Sequence, residues 1–127
     1  MNKEDLKSKI SKASYIVTQE HGTEAPFSGE LLDTKEEGIF TCVCCGNELF
    51  SSDTKYDSGT GWPSFWDVLN ENSVGEEIDR SHGMIRKEVH CQKCNANLGH
   101  LFPDGPMPTG KRYCMNSVAM QFKKSDK

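Results

Sequence analysis

The chain has 127 residues, 19 acidic and 15 basic side chains and a net charge of −4, which fits one domain with its own core and argues against a grip on nucleic acid, where a basic stripe is needed. Residues 1–7 are charged where a signal peptide would be apolar, and no apolar run approaches membrane-spanning length, so a cytoplasmic protein without membrane contact is expected; it is taken as a monomer, although nothing in the sequence fixes the oligomeric state. In a reducing compartment, six cysteines point to metal binding or thiol chemistry and away from a disulfide framework.

Taken in chain order, residues 2–12 place Leu6 and Ile10 four apart among Lys, Glu and Ser, which predicts a short amphipathic surface helix. A second short helical or turn-like stretch is expected over 15–19, and the Gly and Pro of 22–27 make a loop. From Gly38 the pattern changes to short apolar pieces at 39–41, 48–50, 83–90, 98–102 and 112–122, separated by Gly, Pro, Asn, Asp and Ser. That reads as a mainly β, antiparallel fold with long loops. The expected organisation is a helical segment over about 1–20, a catalytic β core over about 21–122 and a frayed polar tail at 123–127.

Two Cys-x-x-Cys turns, Cys42/Cys45 and Cys91/Cys94, supply the four thiolates of a closed tetrahedral zinc site. Each is followed by residues that tolerate a tight turn and a positive φ, Gly46 and Asn47 in the first, Asn95 and Asn97 in the second. Neither opens an obvious helix, which weighs against a dithiol redox centre. A closed site has no open coordination position, so one structural Zn²⁺ per chain is expected to staple two hairpins without catalysing. The intervening segment of about 45 residues is longer than a zinc-ribbon spacer and must be a folded piece with other work. Cys44, inside the first turn, is read as a spectator.

Cys114 is the candidate nucleophile. If 112–122 is one strand, Arg112, Cys114, Asn116, Val118, Met120 and Phe122 share a face that is polar first and apolar last. The apolar half would anchor in the core and the polar half would rim a pocket, with the Arg112 guanidinium supporting a thiolate. The competing reading is a small buried hydrophobe, which the flanking Arg and Asn weaken. Trp62, in a Gly- and Pro-rich loop, is a candidate pocket wall, with core filling the competing reading. His82 and His100, each beside glycine, are candidate proton donors. His21 and His90 are taken as structural.

These residues fall into motifs: Gly-Thr-Glu at 22–24, Lys-Tyr-Asp-Ser-Gly-Thr-Gly-Trp-Pro-Ser-Phe at 55–65, Ser-His-Gly-Met at 81–84, Leu-Gly-His-Leu-Phe-Pro-Asp-Gly-Pro at 98–106 and Arg-Tyr-Cys-Met-Asn-Ser at 112–117. Together, in this order and across about 15–122, they resemble the methionine-R-sulfoxide reductases, the MsrB family. The resemblance implies two antiparallel sheets forming an open, barrel-like core with zinc at one end. It implies reduction of the R epimer of methionine sulfoxide, mainly in proteins, as repair after oxidative damage. Cys114 would attack the sulfoxide sulfur with Arg112 supporting its thiolate. Trp62 would receive the substrate methyl group, with Phe102 beside it, and His82, His100 and Asn116 would line the side of the sulfoxide oxygen, with Asp104 orienting them.

The chemistry suits these residue types. An apolar wall for the methyl and donors for the oxygen distinguish the two epimers, and attack by a thiolate needs a proton for the departing oxygen. The resulting sulfenic acid must be reduced before it oxidises further. Two departures from the family pattern stand out. Thr60 occupies the place where many members carry a resolving cysteine, and Asn97 a place where some carry histidine. Recycling of Cys114 is therefore expected to use an external thiol, thioredoxin, glutathione or a glutaredoxin, in preference to Cys44. Two other classes compete: a zinc-ribbon interaction module, which would not need Cys114, and another thiol enzyme such as a peroxidase, which would not need Trp62 and the two histidines.

Overall fold

The computed structural model describes residues 3–80, 83 and 85–125. Among the described residues two helices come first, α1 (Lys3–Lys9) and α2 (Lys12–Glu20), and nine strands follow: β1 (Gly38–Cys42), β2 (Glu48–Ser51), β3 (Lys55–Tyr56), β4 (Ser64–Phe65), β5 (Val74–Asp79), β6 (Arg86–Cys91), β7 (Asn97–Phe102), β8 (Arg112–Met115) and β9 (Met120–Lys124). They form a three-stranded sheet in the order β2-β1-β9 and a six-stranded sheet in the order β3-β4-β8-β7-β6-β5, with every pairing antiparallel. The expected mainly β fold of two antiparallel sheets is what the chain adopts.

The sheets meet through aromatic side chains. Phe40 on β1 and Phe50 on β2 pack on Phe65 of β4, with ring centroids 5.0 Å and 4.3 Å away, and Phe50 also meets Tyr113 of β8 at 5.6 Å. Phe40, Phe50 and Phe65 are fully buried. Each contributes about 2–3 kcal/mol by leaving water, and each ring pair about 1 kcal/mol more. This cluster packs β4 and β8 against the other sheet.

Helix α2 closes one end. Ser11 caps it by accepting the Ser14 N–H at 3.0 Å, and it ends where His21 turns left-handed at φ 55°. Its buried face includes Tyr15 and Val17. Asn97 at the start of β7 donates its side-chain amide to the Val17 carbonyl at 3.0 Å, fastening the helix to the sheet. This position therefore serves the α2 contact, which accounts for an amide here.

Three expectations are revised. Residues 112–122 are not one strand: β8 stops at Met115, a 3₁₀ turn spans Ser117–Ala119, and β9 continues in the other sheet. The core anchors of β8 are Tyr113 and Met115, which alternate with the outward Arg112 and Cys114, while Val118 lies in the turn and Met120 and Phe122 in the other sheet. Strand β5, whose Glu76, Glu77 and Asp79 hide its period among charges, was not anticipated. At the C-terminus, Lys123 and Lys124 pair with Ile39 and Gly38 as part of β9.

Candidate active site and metal centre

The two Cys-x-x-Cys turns have the same backbone design. Cys42 N–H bonds the Asn47 carbonyl at 2.8 Å and Gly46 N–H returns to the Cys42 carbonyl at 2.9 Å; in the second turn, Cys91 N–H bonds Ala96 and Asn95 N–H returns to Cys91, both at 2.8 Å. Gly46 at φ 79° and Asn95 at φ 63° fill the left-handed position that closes each turn. The turns face each other, with Cys42 and Cys94 sulfurs 3.6 Å apart, Cys45 and Cys91 sulfurs 3.6 Å apart, and all four within 4.8 Å of one another. A tetrahedral zinc with sulfurs at about 2.3 Å needs neighbouring sulfurs about 3.8 Å apart, so the donor set fits the ion in identity and spacing. Crowding by Cys44, then Cys91 and Cys94, pushes the Cys42 thiol up. Four such groups ionise together only around a cation. Asn47 adds an amide donor 3.7 Å from the Cys91 sulfur. Cys44 lies outside this set, 3% exposed, with the Gln19 amide 3.6 Å from its sulfur.

The second centre is a row of paired residues running straight across the six-stranded sheet: Tyr56, Ser64, Cys114, His100, Glu88 and Glu77. Directly opposed residues in antiparallel strands project their side chains to the same face about 5 Å apart. Cys114 therefore sits between Ser64 on one side and His100 on the other, half-buried. Gly99 lets β7 and β8 approach this closely, because a side chain there would run into the Cys114 carbonyl. Along β6, Cys91 lies three residues from Glu88, roughly 10 Å of extended chain, so the metal end and the Cys114 row are separate places.

One row along the same face, Arg112 pairs with Phe102. The Arg112 guanidinium lies over the Phe102 ring at 4.3 Å and grips Asp104 with Nε at 2.8 Å and Nη2 at 3.2 Å. Asp104 raises the Arg112 pKa further, and Arg112 holds the Asp104 carboxyl below the usual carboxylate range. The tyrosine at the row's edge, Tyr56, is pushed up by burial, and its phenol oxygen is buried without a partner among the described residues.

Trp62 is held from the N-terminal side. Its indole Nε1 donates to the Glu24 carbonyl at 2.9 Å, Glu24 N–H donates to Asn116 Oδ1 at 3.0 Å, and Asn116 Nδ2 donates to the Leu98 carbonyl at 3.0 Å. Glu24 Oε1 also accepts the Val118 N–H at 3.0 Å. Both ends of the Asn116 amide thus bond backbone, and the 3₁₀ turn that breaks β8 from β9 is what presents them.

Of the residues singled out from the sequence, the structure brings Cys114, His100, Arg112, Phe102 and Asp104 onto one face of β7, β8 and the loop between them, with Asn116 and Trp62 linked through Glu24. His82 lies outside the described residues. Asp104 pairs with Arg112, and the carboxylate on His100 is Asp79, whose Oδ2 is 2.9 Å from Nε2 and 3.4 Å from the Arg86 Nη2. Asp79 was missed because strand β5 was missed. Glu24 was visible only as part of a motif, and Thr60 only as a missing cysteine. Its hydroxyl stands 3.6 Å from the Cys114 sulfur.

Four clustered cysteines at one end and a β face carrying Cys114, His100 and Arg112 suit an oxidoreductase of the methionine sulfoxide reductase class. The SelR domain pattern matches residues 10–124, and the chain belongs to that family, the MsrB methionine sulfoxide reductases. It is 52% identical over 123 residues to the peptide methionine sulfoxide reductase MsrB of Hahella chejuensis, covering 97% of this chain and 88% of that one. With the MsrB of Thioalkalivibrio sulfidiphilus it shares 52% over 124 residues (98% and 90% covered), and with an Escherichia coli MsrB 54% over 119 residues (94% and 87% covered). Among solved structures, the crystal structure of the Mis18 "Yippee-like" domain is similar in fold, with a TM-score of 0.58 at 21% identity over 72% of this chain and 100% of that one.

Proposed function

We propose that this peptide methionine sulfoxide reductase acts on the R epimer of methionine sulfoxide, mainly in proteins, and that Cys114 is its nucleophile. The observation that carries this reading is the position of Cys114 in the sheet, opposed by His100 on β7 and Ser64 on β4, with Arg112 two residues away on the same face. The Cys114 thiolate attacks the sulfoxide sulfur. The oxygen takes a proton from His100, for which an imidazole is suited because it holds and releases protons near neutral pH. The protonated oxygen passes from the substrate sulfur to the Cys114 sulfur as the bond between the two sulfurs breaks, so methionine leaves with its sulfur two electrons richer and Cys114 becomes a sulfenic acid. His82 is assigned to the same oxygen-facing side.

Asp79 fixes His100 by engaging Nε2, which leaves Nδ1 for the substrate. Trp62, held by Glu24 and Asn116, and Phe102, held under Arg112, form the apolar wall for the methyl group; a wall on one side and a proton donor on the other select one epimer. The Arg112 charge supports the thiolate, with Asp104 orienting the guanidinium.

Cys42, Cys45, Cys91 and Cys94 would hold one zinc ion, which supplies folding free energy by fastening the two turns. Recycling uses an external thiol, thioredoxin, glutathione or a glutaredoxin: one thiol displaces water from the sulfenic acid, and a second releases the mixed disulfide as a disulfide and restores Cys114. Burial of Cys44 under α2 supports that choice over an internal partner. The work fits a monomeric cytoplasmic repair enzyme, and no helix among the described residues is long and apolar enough to cross a membrane.

The test is a dithiothreitol-coupled assay on separated epimers of a peptide methionine sulfoxide. Turnover of the R form alone, with no Cys44 to Cys114 disulfide on peptide mapping after one equivalent of substrate, is expected. Equal turnover of both epimers would overturn the stereochemical assignment, and a Cys44 to Cys114 linkage the recycling route.

A further inference from the structure

We propose that Thr60, Ser58 and Ser64 form a hydrogen-bond chain that reverses direction when Cys114 loses its proton, with Thr60 the catalytic group that touches the reacting sulfur and the two serines positioning it. This rests on the reading of Cys114 as the attacking thiol and adds three residues to its machinery.

The direction of the chain follows from counting protons. Each hydroxyl has one proton to donate and two lone pairs to accept with. Ser64, fully buried, donates to the Trp62 carbonyl at 3.1 Å, and a carbonyl can only accept. Its proton is then committed, so in the contact between Ser64 and Ser58 oxygens at 2.7 Å, Ser58 donates. That commits the Ser58 proton, so at the 2.8 Å contact between Ser58 and Thr60, Thr60 donates. Ser58 also accepts the Thr60 N–H at 3.4 Å, which completes its capacity. Thr60 has no proton left for the sulfur 3.6 Å away, and that bond exists only if the Cys114 thiol donates it. The chain drawn this way suits the resting thiol.

A thiolate cannot donate. When Cys114 ionises, Thr60 keeps a bond to the sulfur only by turning its proton toward it. Ser58 then turns toward Thr60, and Ser64 releases the Trp62 carbonyl to turn toward Ser58. Every contact except the one to the Trp62 carbonyl keeps one proton, and each hydroxyl stays within its donor and acceptor limits. The exchange gives up one neutral bond to a carbonyl and gains one from a hydroxyl to an anionic sulfur, which is the stronger kind. Because the chain ends on a carbonyl, it carries no proton to solvent: it stabilises the nucleophile and does not deprotonate it. The hydroxyl at position 60 is thus a working part of the site.

Thr60→Val keeps the shape and removes the hydroxyl, Thr60→Ser keeps the hydroxyl, and Ser58→Ala leaves Thr60 in place but unsupported. Two readouts are taken on the zinc-loaded protein: iodoacetamide alkylation of Cys114 at pH 7, followed by mass spectrometry of its peptide, and kcat/KM for the R sulfoxide. Thr60→Val is expected to lower both roughly 10-fold, Ser58→Ala less, and the double variant no further than Thr60→Val alone, while Thr60→Ser stays within about two-fold of the parent. Unchanged alkylation and turnover in Thr60→Val, or additive losses in the double variant, overturn the proposal. If the parent protein shows no sulfoxide turnover while the alkylation contrast persists, the reductase reading falls and the hydroxyl chain stands.

Discussion

The Cys₄ end and the Cys114 row use the same side chain for opposite ends, and the difference lies entirely in what surrounds it. At the metal end two turns with matching backbone bonds bring four sulfurs inside 4.8 Å, and every one faces another sulfur. In the row, one sulfur meets an imidazole strand-neighbour, a hydroxyl at 3.6 Å and a guanidinium on the same face, each different and each able to respond to a change of charge. Symmetry closes the first site and asymmetry opens the second.

The sharpest way to break this comparison is to exchange the consequences of losing one sulfur at each end. Cys114→Ser is expected to cost about four orders of magnitude or more in turnover, because a serine hydroxyl is a far weaker nucleophile toward sulfur at neutral pH, while thermal stability stays within a few degrees. Cys91→Ser, or removal of zinc by a chelator, should do the reverse. Metal binding is part of the folding free energy, so the melting temperature should fall by at least about 10 °C, and what folded protein remains should still form the sulfenic acid. Metal analysis should find one zinc per chain. A Cys91→Ser protein with full stability, or a Cys114→Ser protein that unfolds, would erase the distinction.

The two ends were not equally legible. The two Cys-x-x-Cys turns could be read from spacing and turn residues, because such a knuckle is a local structure and Gly46 and Asn95 announce its left-handed position. The fold class was legible for the same reason, in short apolar pieces between turn residues. The row across the sheet is assembled from strands far apart in sequence, and register is a property of pairing that no single segment carries. His100 could be marked as chemical, but Asp79, on a strand whose charges mask its alternation, could not be seen as its partner. The break at Asn116 was also hidden, because Val118, Met120 and Phe122 continue the two-residue alternation that a strand would share.

A moderate effect sharpens the role of the row. If Asp79 acts through His100, Asp79→Asn should lower kcat for the R sulfoxide by about 10- to 100-fold with KM nearly unchanged, since the carboxylate holds the ring and does not touch substrate. Asp79→Glu should recover part of the loss. His100→Asn should be little worsened by adding Asp79→Asn, because two groups acting as one unit are not additive. A loss in KM, or full additivity, would return Asp79 to a plain partner of Arg86.

The smallest effect tests the layer beneath. Tyr113 alternates with Cys114 on β8, is 2% exposed, and burial pushes its phenol up to about 12 from an ordinary 10.0. A phenol raised in this way supports the fold only while it keeps its proton. Stability from this group is whole below about pH 10 and is lost as pH climbs toward 12, because the unfolded chain releases its proton first; the loss is about 3 kcal/mol at most. Chemical denaturation followed between pH 9 and 12 should show that decline in the parent and a shallower one in Tyr113→Phe. Equal slopes would mean that the core face of β8 yields to water before the phenol ionises, and the backing of Cys114 would then have to come from Met115 and the Phe50–Phe65 stack alone.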